Sequence, residues 1–410
     1  MKYYDSLETR DPEERERSLM ERLPRQVAHA KLHSPYFARL LAEVNPNDIH
    51  NRAALAHLPV TRKSDLVTLQ RQEEPFGGIN TTPLAGLSRV FASPGPIYDP
   101  EGRGQDWWRF ARALHAAGFR AGELIHNTFS YHFTPAGFML EGAAHKLGCP
   151  VFPAGIGQTE MQVQAIVDLK PSAYVGTPSF LKIILDKADE QGADVTALNK
   201  AMVSGEALPP SLRQTLNARG IRVRQCYATA DLGLIAYETE AEQGLTLDED
   251  VLLEIVRPGT GDPVPDGEVG EVLITTFNQD YPLLRFATGD LSAVMPGVSP
   301  CGRTNVRIKG WMGRADQTTK VKGMFVHPHQ VAAVVKRHPE VLRARLVVDN
   351  AGGQDRMTLN CETRGSDKAL ADALVASIRD MTKLRGEVVF LAPGQLPNDG
   401  KVIEDVRQYE

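Results

Sequence analysis

Gly313-Arg314-Ala315-Asp316-Gln317-Thr318-Thr319-Lys320-Val321-Lys322-Gly323 divides the chain. Its terminal glycines, its charges and the alternation through Thr319, Lys320 and Val321 spell a charged β-turn and hairpin. Upstream runs a long stretch in which strands and helices take turns. Downstream is a compact tail, and about a hundred residues is an ordinary domain size. The stretch therefore reads as a hinge between two bodies: residues 1–313, with a β-rich subdomain over about 245–313, and residues 314–410.

Working outward on the N-terminal side, short apolar strands at Leu124–Asn127, Pro150–Pro153, Ala173–Gly176, Ala201–Ser204 and Val223–Tyr227 alternate with helical segments near 135–147, 159–169, 179–191 and 209–219. Parallel neighbours need a crossover, so this alternation predicts a mostly parallel sheet flanked by helices. Such sheets take ligands at the carboxyl ends of their strands. Thr159 with Gln162 fits a capping box, and Ser179 can cap the next helix. Residues 12–45 carry a helical period through Leu19, Leu23, Val27, Leu32 and Phe37. Pro59-Val60-Thr61-Arg62-Lys63-Ser64-Asp65-Leu66 reads as a turn and a helix start, capped by Thr61 or Ser64. After Leu245 the texture turns to strands, Val251–Val256 and Val269–Phe277, punctuated by Gly and Pro. In the tail, Val331, Val334 and Val335 share a helical face, and strands near 344–348, 357–362 and 388–391 with a helix near 367–384 make a small α+β domain. The fold class is thus α/β with a small C-terminal α+β body.

A net charge of -5 without long runs of one sign argues against nucleic acid or an anionic membrane as main partner. No apolar segment approaches the roughly 20 residues that span a bilayer, and the acidic start is no signal peptide. The four cysteines, Cys149, Cys226, Cys301 and Cys361, are widely spaced and form no C-x-x-C pair. Reduced thiols and a cytoplasmic protein are expected.

Several short pieces could carry chemistry. Ser204-Gly205-Glu206 follows a strand, where a glycine lets a flat ring or a phosphate approach the backbone; alone, it is equally an ordinary turn into a helix. Tyr227-Ala228-Thr229-Ala230-Asp231 sets an aromatic, a hydroxyl and a carboxylate within one turn, suited to a purine, a phosphate and Mg2+, or to a buried tyrosine with a capping aspartate. Thr288-Gly289-Asp290 can present a carboxylate to ribose hydroxyls or be a surface turn. Lys401, on Pro397-Asn398-Asp399-Gly400-Lys401, would by itself be a solvated surface lysine. His327-Pro328-His329 reads as a strand end rather than a metal site.

Their order and spacing changes this. With Ser34-Pro35-Tyr36-Phe37, Pro59 to Leu66, Gly155-Ile156-Gly157-Gln158-Thr159-Glu160, Thr177-Pro178-Ser179, Gly313-Arg314-Ala315-Asp316 and Val326-His327-Pro328, they form an ordered set that resembles the adenylate-forming acyl-CoA synthetases over nearly the whole chain. The resemblance implies a two-step reaction. A carboxylic acid and ATP give an acyl-adenylate; the small domain, a mobile lid, then turns about Asp316, and a thiol, usually that of coenzyme A, displaces AMP. It implies that Lys401 bridges the acid and the α-phosphate, and that Ser204, Gly205, Glu206, Ala207, Cys226, Tyr227, Ala228 and Thr229 surround the nucleotide. Asp290 holds ribose, Asp231 stands where a Mg2+-binding glutamate is usual, and Arg314 lies near the nucleotide. Tyr131, His132, Phe133, Ala154, Gly155 and Ile156 would line the acyl pocket, whose aromatic wall suits an aryl or arylalkyl acid. Tyr131 and Phe133 read equally as core. Lys320, Lys322 and Gly323 are candidates for coenzyme A, and a second copy of the chain is a candidate partner.

The chain departs from this pattern at the phosphate loop, where a Ser/Thr/Gly-rich run is replaced by Ala92-Ser93-Pro94-Gly95-Pro96-Ile97-Tyr98. Proline has no amide N–H, which leaves Ser93 and Gly95 as a reduced cradle, with Arg103 or Arg285 as candidate compensating cations. Two other readings therefore stay open: an adenylating enzyme that serves a carrier protein or another acceptor, and a catalytically silent homologue that binds an acyl-CoA or a nucleotide.

Overall fold

The structure, a computed structural model, describes residues 2–256, 261–315, 317–322, 324–350, 355–365, 367–397 and 402–407. The chain forms two compact units, Met1–Gly313 and Arg314–Glu410.

The first unit is built on a nine-stranded sheet. Val151–Pro153, Ile125–Asn127, Ala173–Gly176, Lys200–Val203 and Arg222–Thr229 pair in parallel in that order, and Gly233–Glu238 turns back antiparallel on the last. Both faces of the parallel part are covered, as crossover helices require. Ala173, Val175 and Met202 pack on one side with Leu114, Leu140 and Ala143, while Tyr174, Ala201 and Val203 pack on the other with Ile166, Leu181 and Ile184. The β-rich region expected after Leu245 divides between two sheets. Leu245–Leu247, Arg307–Ile308 and Val294–Met295 extend the large sheet, whereas Val251–Val256, Gly270–Thr276 and Phe286–Ser292 join Thr61–Arg62 in a sheet of their own.

Several local expectations are corrected. The N-terminal helical run breaks into Pro12–His33 and Pro35–Leu40, because Pro35 cannot donate into the first helix and Ser34 Oγ instead accepts from Phe37 N at 3.2 Å. The buried stripe passes from Val27 to Ala30, leaving Leu32 out of phase and 76% exposed. Thr61 is in a strand, in parallel register with Phe286, and neither it nor Ser64 caps the helix Leu66–Gln72, whose N-cap Asp65 makes no side-chain bond to the helix backbone. Helix Pro178–Gln191 is capped by Thr177 rather than Ser179, since Pro178 takes the first helical position. Helix Thr159–Leu169 starts from Gln158 at φ +52° with no side-chain cap, and Gln162 points inward instead of closing a box.

In the second unit the hairpin Thr319–Val321 with Met324–Val326 precedes helix Pro328–Arg337. His327 is the N-cap of that helix and not a strand end; its N–H donates to Gln330 Oε1 at 2.9 Å. A four-stranded sheet, in the order Glu387–Leu391, Arg356–Thr363, Val341–Asp349 and Ile403–Asp405, shares its core with Val331, Val334, Leu374 and Ile378. Asp316, the expected hinge residue, lies outside the described residues, as do Gly323 and Lys401. All four cysteines are unpaired and buried. Among the described residues, no helix is long and apolar enough to cross a membrane.

Candidate active site

The nine-stranded and four-stranded sheets of the first unit meet where a tyrosine from one reaches a carboxylate on the other. Thr288 and Asp290 flank Gly289, at φ +75°, in an irregular stretch of strand Phe286–Ser292 and meet the same tyrosine hydroxyl. Tyr227, near the carboxyl end of Arg222–Thr229, donates its hydroxyl to Asp290 Oδ2 at 2.8 Å and lies 3.2 Å from Thr288 Oγ1. Trp311 Nε1 donates to Asp290 Oδ1 at 3.1 Å. Thr288 Oγ1 donates to Val272 O and accepts from Asp290 N, which fixes the strand beneath the carboxylate. Asp290 is thus held by neutral donors at both oxygens while still 8% exposed.

Beside it is a charged centre. Thr61–Arg62 runs parallel to Phe286–Ala287, so the next residue, Lys63, arrives at the level of Thr288. Its ammonium donates to Asp231 Oδ2, and the Asp231 side chain has no exposed surface whereas that of Lys63 is 26% exposed. Asp99 also faces this pair; among the described residues neither of its oxygens, nor Asp231 Oδ1, has a hydrogen-bond partner of good geometry, although the Ser93 side chain is near enough to act on Asp99. Burial and then the charge of Asp231 push Asp99 well above the usual carboxylate range, with Lys63 only partly offsetting them. A proton on Asp99 directed at Asp231 gives two of the three orphaned oxygens a common hydrogen. Burial works to lower Lys63, but Asp231, Asp99 and Asp290 together outweigh it and hold the ammonium above its usual range.

Asp99 follows the proline-containing loop. That loop is the turn of a tight hairpin, Arg89–Ser93 with Ile97–Glu101, in which Ser93 pairs with Ile97 and Ser93 Oγ donates back to Ile97 O at 3.4 Å. A Cβ on Gly95 would come within 2.9 Å of the Ile97 side chain, so the turn needs glycine there. Of residues 94–96 only Gly95 carries an amide N–H. Arg285 does not compensate: it is 2% exposed and clamped between Glu254 and the carbonyls of Ala56, Leu58 and Gly261. Arg103 is exposed and donates to Ala85 O at 3.0 Å.

The remaining expected nucleotide residues line the ends of neighbouring strands. Ser204 Oγ donates to Cys226 O at 3.0 Å, tying two strand ends together, and Gly205 takes φ +80°. Burial pushes the Cys226 thiol up to about 12. Glu206 and Ala207 are exposed, and Glu206 Oε2 accepts from Ser179 N at 3.4 Å. Ala228 follows an irregularity in the pairing of its strand, and Thr229 Oγ1 accepts from Leu232 N at 3.1 Å, closing the turn that carries Asp231.

At the expected acyl pocket, Tyr131 is half-buried. Its hydroxyl donates to Glu141 at 2.8 Å and accepts from Asn127 Nδ2 at 2.8 Å. His132 and Phe133 project to solvent, Phe133 with 81% of its surface exposed. The loop Ala154-Gly155-Ile156 is held from behind by Gln162, which donates to the carbonyls of Gly155 and Gly157 at 2.9 and 3.1 Å. Gln162 Oε1 in turn accepts from buried His126 at 2.5 Å, and burial lowers that imidazole so that it stays neutral. In the second unit, Lys320 and Lys322 are exposed. Arg314, the first residue of that unit, is half-buried.

Sequence reasoning missed the roles of Lys63, Asp99, Trp311 and His126. Lys63 stood in a quoted motif, but its partner Asp231 is 168 residues away. For His126 the available signal was Gln162, a polar side chain on the buried face of its helix beside Val163 and Ile166.

The AMP-binding enzyme family profile matches residues 108–278. Phenylacetate-coenzyme A ligase of Thermus thermophilus is 33% identical, with 97% of each chain covered. The enzyme of that name from Escherichia coli is 29% identical over 97% of this chain and 95% of its own. Among solved structures, 2-hydroxyisobutyryl-CoA ligase in complex with 2-HIB-AMP and CoA superposes with a TM-score of 0.80 at 24% identity, covering 100% of this chain and 93% of the other, which shows the shared fold. The chain belongs to the phenylacetate-CoA ligase family and is an acid–thiol ligase.

Proposed function

We propose that this ligase activates an aryl or arylalkyl carboxylate with ATP and passes the acyl group to coenzyme A. The observation that carries the reading is the gathering of Tyr227, Asp290, Trp311, Lys63 and Asp231 where the two sheets meet, at the carboxyl ends of parallel strands. Relatives that cover nearly the whole chain and are named for phenylacetate support the aryl class, as does the half-buried ring of Tyr131.

In the first step a carboxylate oxygen of the acid attacks the α-phosphorus of ATP and pyrophosphate leaves. Tyr227, with the Ser204 to Ala207 turn, would border adenine, and Asp290 would accept from ribose hydroxyls at its exposed edge. Lys401 would sit between the two anions as charge develops. An ammonium 4 Å from a unit charge is worth ~4 kcal/mol at an effective dielectric near 20. Asp231 would hold a magnesium ion only if Asp99 gave up the proton it directs at Oδ1, since Oδ2 is held by Lys63. In the second step the lid turns about Asp316, the thiol sulfur attacks the acyl carbon, AMP leaves, and the thiol proton goes to solvent; Lys320, Lys322 and Gly323 are the proposed coenzyme A contacts.

Acid-dependent exchange of pyrophosphate into ATP, over a panel of aryl and aliphatic acids, tests this reading. Exchange with arylacetates that falls at least about a hundredfold in Lys401→Ala is expected. Thioester formation on adding coenzyme A separates this function from transfer to a carrier protein. The two prolines of the 94–96 turn favour one rival, a silent nucleotide-binding homologue, and exchange with no acid at all would establish it.

A further inference from the structure

We propose that Lys63 is a phosphate-binding residue of this enzyme, replacing by one oriented ammonium the amide donors that Pro94 and Pro96 withhold. The inference deepens the nucleotide reading above and rests on it. An ammonium has three N–H groups, and the hydrogen bond to Asp231 uses one. The Asp231 side chain is wholly buried, so it anchors Nζ from below, while the exposed quarter of Lys63 opens to solvent. The carboxyl groups of Asp231, Asp99 and Asp290 all face this lysine. These three come from the turn after Arg222–Thr229, from the hairpin strand Ile97–Glu101 that leaves the proline turn, and from Phe286–Ser292. Lys63 therefore stands where the proline hairpin, the adenine-side turn and the ribose carboxylate converge, which is the course a triphosphate must take. Of the two arginines expected to compensate, Arg285 is locked in its clamp, and Arg103 donates to Ala85 O. The buried carboxylates give the lysine an orientation, and in return it lowers the negative potential that would otherwise repel the phosphates.

Binding of ATP, AMP and adenosine by titration calorimetry, without any acid present, tests this directly. Wild type is expected to bind ATP more tightly than adenosine. In Lys63→Met, loss of a charge-assisted hydrogen bond should weaken ATP by about ten- to a hundredfold and leave adenosine within about twofold. If the single variant does not fold, Lys63→Met/Asp99→Asn, which removes the crowding carboxylate together with the cation, is read by the same comparison. Equal weakening of ATP and adenosine, or no weakening of ATP, overturns the role of Lys63. Absence of ATP binding by the wild type would instead overturn the nucleotide reading itself.

Discussion

Asp290 and Asp231 are neighbouring, nearly buried carboxylates that the fold holds in opposite ways. Asp290 receives uncharged donors, Tyr227 Oη and Trp311 Nε1, one on each oxygen. Among the described residues, Asp231 has a single ammonium on one oxygen, no partner on the other, and a second carboxyl, Asp99, pressed against it. The first arrangement is close to complete by itself and needs only an exposed edge to accept further hydroxyls. The second is unfinished: three buried oxygens lack donors, a costly state unless protons or an incoming cation supply them. A satisfied carboxylate keeps a fixed geometry for ribose, whereas an unsatisfied one holds its neighbours in readiness for a ligand that carries its own charge.

The contrast breaks most visibly at Lys63. Removing the cation leaves Asp231 buried and uncompensated, so Lys63→Met should lower the unfolding free energy by about 3 kcal/mol in urea titrations, the low end for a broken buried pair because the lysine stem is partly exposed. Adding Asp99→Asn should recover part of the loss, since it removes the carboxylate that competes for the same proton. At the satisfied centre, Tyr227→Phe strips one donor from Asp290, and a lost hydrogen bond to a charged group predicts about 2 kcal/mol by the same measurement.

Protonation sharpens the comparison further. The folded state raises Asp99 above its unfolded value near 3.8, so the native protein binds a proton that the unfolded chain has released. The stability Asp99 contributes is fully present below about pH 4 and is lost as pH rises toward the raised native pKa, with a slope of at most about 1.4 kcal/mol per pH unit. Asp99→Asn should flatten that slope in thermal unfolding measured from pH 4 to 8. A slope unchanged by the substitution would mean that the crowding at Asp231 is not borne by Asp99.

The parallel core was legible because its signal is local. Ala173, Tyr174 and Val175 are apolar in a row, as a strand buried on both faces must be, and Gly148 and Gly192 close the intervening helices in left-handed conformation. The caps were less legible, because a hydroxyl or amide near a helix start has several possible uses: Gln162 satisfies two loop carbonyls and a histidine, and a preceding proline moves the cap from Ser179 to Thr177. Strand Ile403–Asp405 also escaped notice, since three residues with one apolar side chain carry no periodicity. Tyr227, Asp231 and Asp290 could be picked out because each lies in a strand or in the turn directly after one, a polar group in an apolar context. Lys63, Asp99 and Trp311 could not, because what gives them meaning is a partner remote in sequence, and only the register of Thr61–Arg62 on Phe286–Ala287 brings the lysine there.

Trp311 gives the finest division of the two centres and the smallest expected effect. Its indole N–H donates to Asp290 Oδ1 at 3.1 Å, formally the same service that Tyr227 performs on Oδ2. The environments differ: Tyr227 is 9% exposed and Trp311 is 44% exposed. Where water reaches, a lost donor is replaced by a solvent hydrogen bond, so the net loss is the small difference between two hydrogen-bonded states rather than the desolvation of a buried acceptor. Trp311→Phe should therefore cost under about 0.5 kcal/mol in urea unfolding, several times less than Tyr227→Phe, although each removes one hydrogen bond to the same carboxylate. Equal costs would mean that Oδ1 is as dry as Oδ2, leaving Asp290 no wet edge at which to accept a ribose hydroxyl.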